Sequence, residues 1–217
     1  MNSVSYLYGL PIYVGKINPE TYPKNKILSQ IEENYKISNI RNNWDNNSHF
    51  NSDIHHSYED DQSKIFNKIN YYNLSNEYEK IINNFFEKIN LQSSFSFNYE
   101  IVNYTCSKHK SFMASHIHPG CSFSLVHYIS FDEKQHISTI FKSPYYFNLL
   151  LPNRKKLRNV FCNKSIENSW LYNDWTLETK EDDVVIFPSI LEHYVRNFDA
   201  SKSRITISVN IKIEEKN

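Results

Sequence analysis

Glycine is scarce in this chain, with only 3 among 217 residues. Most turns must therefore use other residues, and Asn and Asp are suitable because their short side chains hydrogen-bond to the nearby backbone. Polar runs such as NNWDNN and NSDIHHSYEDD supply them in the first third of the chain. The stretch 38–61 is accordingly predicted to be a solvated loop, and its histidines, His49, His55 and His56, are left outside the functional site.

Net charge, long apolar runs and paired cysteines are also absent. Lys and Arg together number 24, as do Asp and Glu, so no bulk electrostatic attraction to nucleic acid or an anionic membrane is indicated. No segment has the apolar length needed to span a bilayer, and the start of the chain lacks a signal-peptide pattern. Cys106, Cys121 and Cys162 form no CxxC pair, which is typical of reduced thiols. These absences predict a cytoplasmic protein.

The pattern of apolar residues predicts a helical first half and a β-rich second half. Helical spacing indicates helices at 24–35, 63–70 and 76–91, after a broken strand at 4–17. Beyond residue 91 the period changes to two, which predicts strands at 97–107, 111–117, 122–131, 137–142, 158–162, 170–176, 183–188, 193–197 and 204–213. Short strands joined by turns pair antiparallel, so we expect a barrel or sandwich with helices against one outer face.

Two histidines stand two residues apart in the segment HIHPG, residues 116–120. On a strand, His116 and His118 point to the same face and can approach one ion together. His193, in the run VVIFPSILEHYVRN, is predicted to join them from a second strand. Imidazole suits Fe, Zn, Cu or Ni, and the lack of carboxylates argues against Mg or Ca. The pattern therefore predicts a metal site without naming the metal; the alternative is three core histidines of a barrel interior.

Arg204 follows His193 by eleven residues and begins the strand RITISVNIKI. Along this strand Arg204, Thr206 and Ser208 share one face. An arginine on a face lined by hydroxyl groups favours a planar anion, because its guanidinium group binds a carboxylate through two parallel hydrogen bonds.

With these residues in view, the second half of the chain resembles the Fe(II)/2-oxoglutarate-dependent oxygenases, in particular small bacterial and phage hydroxylases with an H-x-H-P segment. The similar segments are HIHPG followed by SFSLVHYISF, then DDVVIFPSILEHYVRN and RITISVN. The resemblance implies a mainly β fold with some α, a double-stranded β-helix (a jelly-roll, cupin-like barrel) backed by N-terminal helices. We predict one domain over 1–217, with the supporting strand and helices in 1–96 and the β-helix core in 97–217.

The resemblance also implies Fe(II) as cofactor and 2-oxoglutarate as co-substrate, with hydroxylation of an unidentified small-molecule or peptide substrate and release of succinate and CO2. His193 looks like the distal iron ligand, and Arg204 looks like the anchor of the far carboxylate of 2-oxoglutarate. His116 looks like the first ligand, which leaves His118 where the superfamily has Asp or Glu. In an alternative assignment His118 is the first ligand and Gly120 takes the place of the acid.

The predicted site accordingly has three metal ligands, His116, His118 and His193, with Arg204 as a further catalytic residue. Arg204, Thr206 and Ser208 are predicted to bind the co-substrate. Asn103, Tyr104 and Tyr128 are candidates to line the pocket.

Two other functions compete with this one. A cupin-type metalloenzyme that does not use 2-oxoglutarate is suggested by Pro188, His193 and Asn197, which match the second cupin motif, but no glutamate follows the H-x-H pair as the first cupin motif requires. A non-catalytic barrel that binds a small molecule or a protein is the other alternative.

Overall fold

The structure is a computed structural model that describes residues 2–38, 54–57, 66–109, 111–145, 156, 160 and 164–216. Its two longer helices are α1 (Lys24–Ile37) and α2 (Tyr72–Lys88), and a 3₁₀ helix spans Ile166–Leu171. The strands are β1 (Ser3–Leu7), β2 (Leu10–Lys16), β3 (Ile54–His56), β4 (Phe95–Ser107), β5 (Ser111–His116), β6 (Phe123–Ser130), β7 (Ile140–Lys142), β8 (Asp174–Thr176), β9 (Asp183–Pro188), β10 (His193–Phe198) and β11 (Arg204–Glu215).

The strands form two antiparallel sheets. The larger sheet has the order β1-β2-β9-β6-β11-β4-β3, and the smaller has the order β5-β10-β7-β8. From β4 onward the chain crosses repeatedly between the sheets, so that β4, β6, β9 and β11 lie in one and β5, β7, β8 and β10 in the other. This interleaving of eight strands is the topology of a jelly roll, or double-stranded β-helix.

The central strands of the larger sheet are buried on both faces. On β11, Ile205, Ile207, Val209 and Ile211 pack towards the helices, while the alternate residues face the space between the sheets. Helix α2 covers this sheet with one apolar face, whose buried residues are Leu74, Tyr78, Ile81, Ile82, Phe85 and Phe86. The helices therefore fix the larger sheet from outside and leave its inner face available for the site.

The space between the two sheets has two different halves. One half is filled by an apolar cluster that includes Tyr128, Phe141, Val185 and Phe187. The other half is a cavity of about 320 Å³ with many polar residues in its wall. The cavity lies beside β5 and β10 of the smaller sheet and β3, β4 and β11 of the larger one.

Most of the predicted elements are confirmed. Helices at 24–35 and 76–91 are present, although α2 begins four residues earlier, and strands occur at eight of the nine ranges predicted after residue 91. In 170–176 only the second half is a strand, because the first half completes the 3₁₀ helix. Of the predicted strand at 158–162 only Val160 is described, and it is helical; residues 66–70 of the helix predicted at 63–70 are not helical.

The prediction of a solvated loop at 38–61 was wrong for its described part. Residues Ile54–His56 form β3, which pairs with β4 at the edge of the larger sheet, and both histidines are buried. His49 lies outside the described residues. Within the described part of the chain, no helix has the length and apolar character required to cross a membrane.

Candidate metal and co-substrate site

The structure brings His116, His118 and His193 together. His116 ends β5 and His193 begins β10, and the two residues are directly paired in the smaller sheet. His118 follows in the turn after β5, where its backbone N–H donates to the carbonyl of Ser189 at 2.9 Å. One nitrogen from each imidazole lies within 4.8 Å of the other two. These three side chains form the only such cluster of His, Cys, Asp or Glu among the described residues.

Hydrogen bonds orient the imidazoles. His116 Nδ1 lies 2.8 Å from the carbonyl oxygen of Ala114, and His193 Nδ1 lies 2.9 Å from that of Leu191. Because a carbonyl only accepts, each Nδ1 must carry the proton, and in the neutral ring Nε2 is then the nitrogen with a lone pair. His118 Nδ1 lies 3.4 Å from Asn210 Oδ1, a longer contact of the same kind. Such partners are typical of metal-binding histidines.

Burial favours the neutral form of His193 and His118. Burial, followed by the proximity of His116, lowers the pKa of His193 to about 3. Burial followed by the proximity of His116 also lowers the pKa of His118. Neutral imidazole is the form that binds a metal ion, so the lowered pKa values of His118 and His193 favour metal binding at neutral pH. The donor set therefore fits Fe(II), a metal for which imidazole is a suitable ligand.

Arg204 is a buried cation in the same cavity, with 3% of its surface exposed. Its Nε donates to the carbonyl of Ile137 at 3.1 Å, and its guanidinium lies 5.5 Å from the centre of the Tyr128 ring. No described carboxylate lies within 4.0 Å of its nitrogens. Burial lowers its pKa, although an arginine stays charged in proteins. Because burial of an unpaired charge is costly, we expect Arg204 to bind an anion.

Of the other residues predicted for the pocket, some line the cavity and some do not. Thr206, Ser208 and Asn103 line it, and Thr206 Oγ1 is 2.7 Å from Thr105 Oγ1. Tyr128, also predicted to line the pocket, does not line it: it belongs to the apolar cluster, where its ring lies 5.5 Å from the Arg204 guanidinium. The prediction that Tyr104 lines the pocket was wrong: its hydroxyl faces the helices, where it accepts a hydrogen bond from Asn34 Nδ2 at 2.8 Å.

Sequence reasoning missed several residues of the wall, and three of the polar ones bear on the site. His56 enters from β3, Asn210 is the hydrogen-bond partner of His118, and Thr105 is paired with Thr206. The alternation along RITISVN places Asn210 on the same face as Arg204, so this residue was open to prediction. His56 gave no signal, because a three-residue edge strand inside an Asn-rich stretch has no periodicity to detect. Gly120, with φ +84° in the turn after β5, does not line the cavity.

A jelly roll that holds three imidazoles and a buried arginine in one cavity has the features expected of a metalloenzyme that takes an anionic ligand. Residues 103–210, half of the chain, match the family described as "Putative 2OG-Fe(II) oxygenase". The chain belongs to the 2-oxoglutarate-dependent Fe(II) oxygenases, whose cofactor is Fe(II) and whose co-substrate is 2-oxoglutarate. The matched segment contains all six predicted site residues.

Solved structures of such enzymes are similar only at a distance. A prolyl-4-hydroxylase from Pseudomonas putida is 9% identical, with 100% of this chain and 93% of that chain covered and a TM-score of 0.46. The viral collagen prolyl hydroxylase of Paramecium Bursaria Chlorella virus-1, solved with 2OG, is 11% identical over 91% of this chain and 94% of that one, with a TM-score of 0.46. A 2OG-Fe(II) oxygenase family oxidoreductase from Burkholderia pseudomallei is 15% identical with a TM-score of 0.37; the match covers 62% of this chain and 55% of that chain. No curated protein matches the sequence.

Proposed function

We propose that this oxygenase holds Fe(II) through His116, His118 and His193, anchors 2-oxoglutarate through Arg204, and hydroxylates a small-molecule or peptide substrate. The observation that carries the proposal is the convergence of three imidazoles and one buried arginine on a single cavity. When bound, iron and 2-oxoglutarate supply the oxidising chemistry: O2 and 2-oxoglutarate are consumed, CO2 and succinate leave, and one oxygen atom enters a substrate C–H bond.

The protein residues bind and orient the reactants. His116, His118 and His193 would hold the metal through three nitrogens and would leave room on it for the co-substrate and oxygen, as two histidines and a carboxylate do elsewhere. The assignment with both His116 and His118 as ligands is favoured over the one with Gly120 in the acid position, because Gly120 lies outside the cavity wall whereas both imidazoles are part of it.

Arg204 has its Nε committed to Ile137, which leaves the two outer guanidinium nitrogens to bind the far carboxylate. Thr206, next along the same face, offers a hydroxyl beside that anchor. Val126, Val195 and Met113 supply an apolar wall that keeps water away from the reacting atoms.

An anaerobic titration with Fe(II) and 2-oxoglutarate tests this function. Chelated 2-oxoglutarate gives a visible charge-transfer band, and we expect it in the unaltered protein and not in His193→Ala. Arg196→Gln is the control, because Arg196 lies on β10 as His193 does but is exposed. Bound iron without a band would contradict the proposal and favour the cupin-type enzyme or the non-catalytic barrel.

A further inference from the structure

Asn103 is a buried polar residue in the cavity wall that the reaction scheme above does not use. It lies on β4, paired with Ser208 of β11, and only 7% of its surface is exposed. Its carboxamide oxygen is buried and has no hydrogen-bond partner among the described residues. Buried polar groups in native proteins are nearly always satisfied, so this amide requires an explanation.

The co-substrate alone does not satisfy Asn103. The carboxylate and keto oxygens of 2-oxoglutarate accept hydrogen bonds and donate none. The dianion can therefore accept a hydrogen bond from the Asn103 NH2 group, but it has no donor for the Asn103 oxygen. A half-turn of the carboxamide moves the oxygen to the position that Nδ2 now occupies, where it still needs a donor. That donor must carry an N–H or O–H: water can supply it in the empty cavity, and the primary substrate can supply it when it displaces that water.

The side chains around Asn103 limit the class of substrate that fits the cavity. A carboxamide pairs best with a group that presents a donor and an acceptor side by side, as Asn does with adenine or with another amide. Val102, Met113 and Ile117 surround the polar groups of the wall, which suits an amide flanked by aliphatic groups.

We propose that Asn103 binds a peptide group of the primary substrate through paired hydrogen bonds, and that the substrate is a peptide. This inference rests on the proposed function, since it assigns the second ligand of the same site. His56 contributes a further polar side chain to this part of the wall: it is paired with Thr105 across β3 and β4 and lies outside the segment that matches the family.

Calorimetry with two matched peptides tests the proposal. The full chain is loaded anaerobically with Fe(II) and 2-oxoglutarate and titrated with capped trialanine or with its fully N-methylated analogue, which has no N–H to donate. We expect capped trialanine to bind about tenfold more tightly, the value of one hydrogen bond, and expect Asn103→Leu to abolish that preference. Asn98→Leu is the control, because Asn98 is an exposed residue of the same strand.

The visible band of bound 2-oxoglutarate is recorded for each variant. Its presence shows that the iron and 2-oxoglutarate site is intact, so a failure of peptide binding can be told apart from a failure of the proposed function. Equal binding of the two peptides, or binding of neither, would overturn the peptide assignment. A loss of 2-oxoglutarate affinity in Asn103→Leu would overturn it too, because the amide would then serve the co-substrate. Absence of the band from the unaltered protein would instead refute the proposed function. If Asn103→Leu does not fold, Asn103→Ser removes the same carboxamide at smaller volume.

Discussion

The orientation of each imidazole depends on one oxygen atom behind it. For His116 and His193 this oxygen is a backbone carbonyl two residues earlier, which no substitution removes. For His118 it belongs to the side chain of Asn210 on β11. Among the three proposed ligands, His118 is thus the one whose support can be altered by mutation, and it is also the one proposed to stand in the position of the usual acid.

We expect Asn210→Ala to weaken Fe(II) binding by about tenfold, the low end for loss of a partner behind a metal ligand, since the contact is long. Competition with a chromophoric chelator under anaerobic conditions measures the effect. Asn98→Ala, on the neighbouring strand β4 and exposed, should leave the affinity unchanged. An unchanged affinity in Asn210→Ala would show that His118 is either oriented by other contacts or does not bind the metal.

Substitution of Arg204 tests whether this residue binds the far carboxylate of 2-oxoglutarate. Charge-assisted hydrogen bonds contribute about 1.5–3 kcal/mol, so Arg204→Gln should raise the Kd of 2-oxoglutarate by roughly 10- to 100-fold. Iron binding should persist, because the guanidinium is not a metal ligand. The measurement is the 2-oxoglutarate dependence of the visible band, with Arg196→Gln as the charge control. An unaltered Kd would mean that the anion binds elsewhere.

At the scale of elements, α2 holds the larger sheet through its aromatic side chains. Phe85 is fully buried and packs against Tyr13, Phe86 and Phe123. Phe85→Ala should lower the free energy of unfolding by about 3–5 kcal/mol, since it removes buried surface and leaves a cavity. Tyr72→Ala on the same helix should change it by less than about 0.5 kcal/mol, because Tyr72 is 73% exposed. Urea unfolding compares the two; similar losses would contradict the described packing.

His127 links β6 to α2 and makes the fold sensitive to acid. Its Nδ1 lies 3.0 Å from the hydroxyl of Tyr78, and its Nε2 is buried without a partner among the described residues. Burial, followed by the charge of Lys24, lowers its pKa from 6.5 to about 3. The folded state therefore keeps the ring neutral while the unfolded chain binds a proton below pH 6.5, so acid favours unfolding.

This shift predicts a loss of stability of roughly 1.4 kcal/mol per pH unit as the pH falls from 6.5 towards 3. His127→Leu should remove that contribution and unfold less steeply with acid than the unaltered protein. Tyr78→Phe removes the same hydrogen bond but keeps the imidazole, so its pH dependence should match that of the unaltered protein. Urea unfolding at several pH values gives both slopes; equal slopes for His127→Leu and the unaltered protein would contradict the predicted effect.

Helices and strands whose apolar residues recur at a regular spacing could be predicted from the sequence, and those without such a spacing could not. The helix at 76–91 and the strand at 204–213 each show a clear apolar face, and the alternation along β11 already placed Arg204, Thr206 and Ser208 together. Strand β3 was missed because it gains its order from pairing with β4, a contact between residues about fifty positions apart. Asn103 was recognised as a pocket residue, but its lack of an internal partner is a property of packing that no sequence pattern contains.

For the whole molecule, the site couples ligand binding to the stability of the jelly roll, because its residues come from both sheets. A ligand that binds only the folded state raises stability by about 2.7 kcal/mol at 100 times its Kd, which corresponds to roughly 5–10 °C in Tm for a domain of this size. We expect Fe(II) alone to raise Tm, and 2-oxoglutarate to raise it further only when the metal is present, since the co-substrate needs both the metal and Arg204. In Arg204→Gln the metal shift should remain and the additional shift should shrink. A metal shift with no response to 2-oxoglutarate would instead identify a cupin-type or non-catalytic metal site, and anaerobic melting curves with each ligand separately and together distinguish these outcomes.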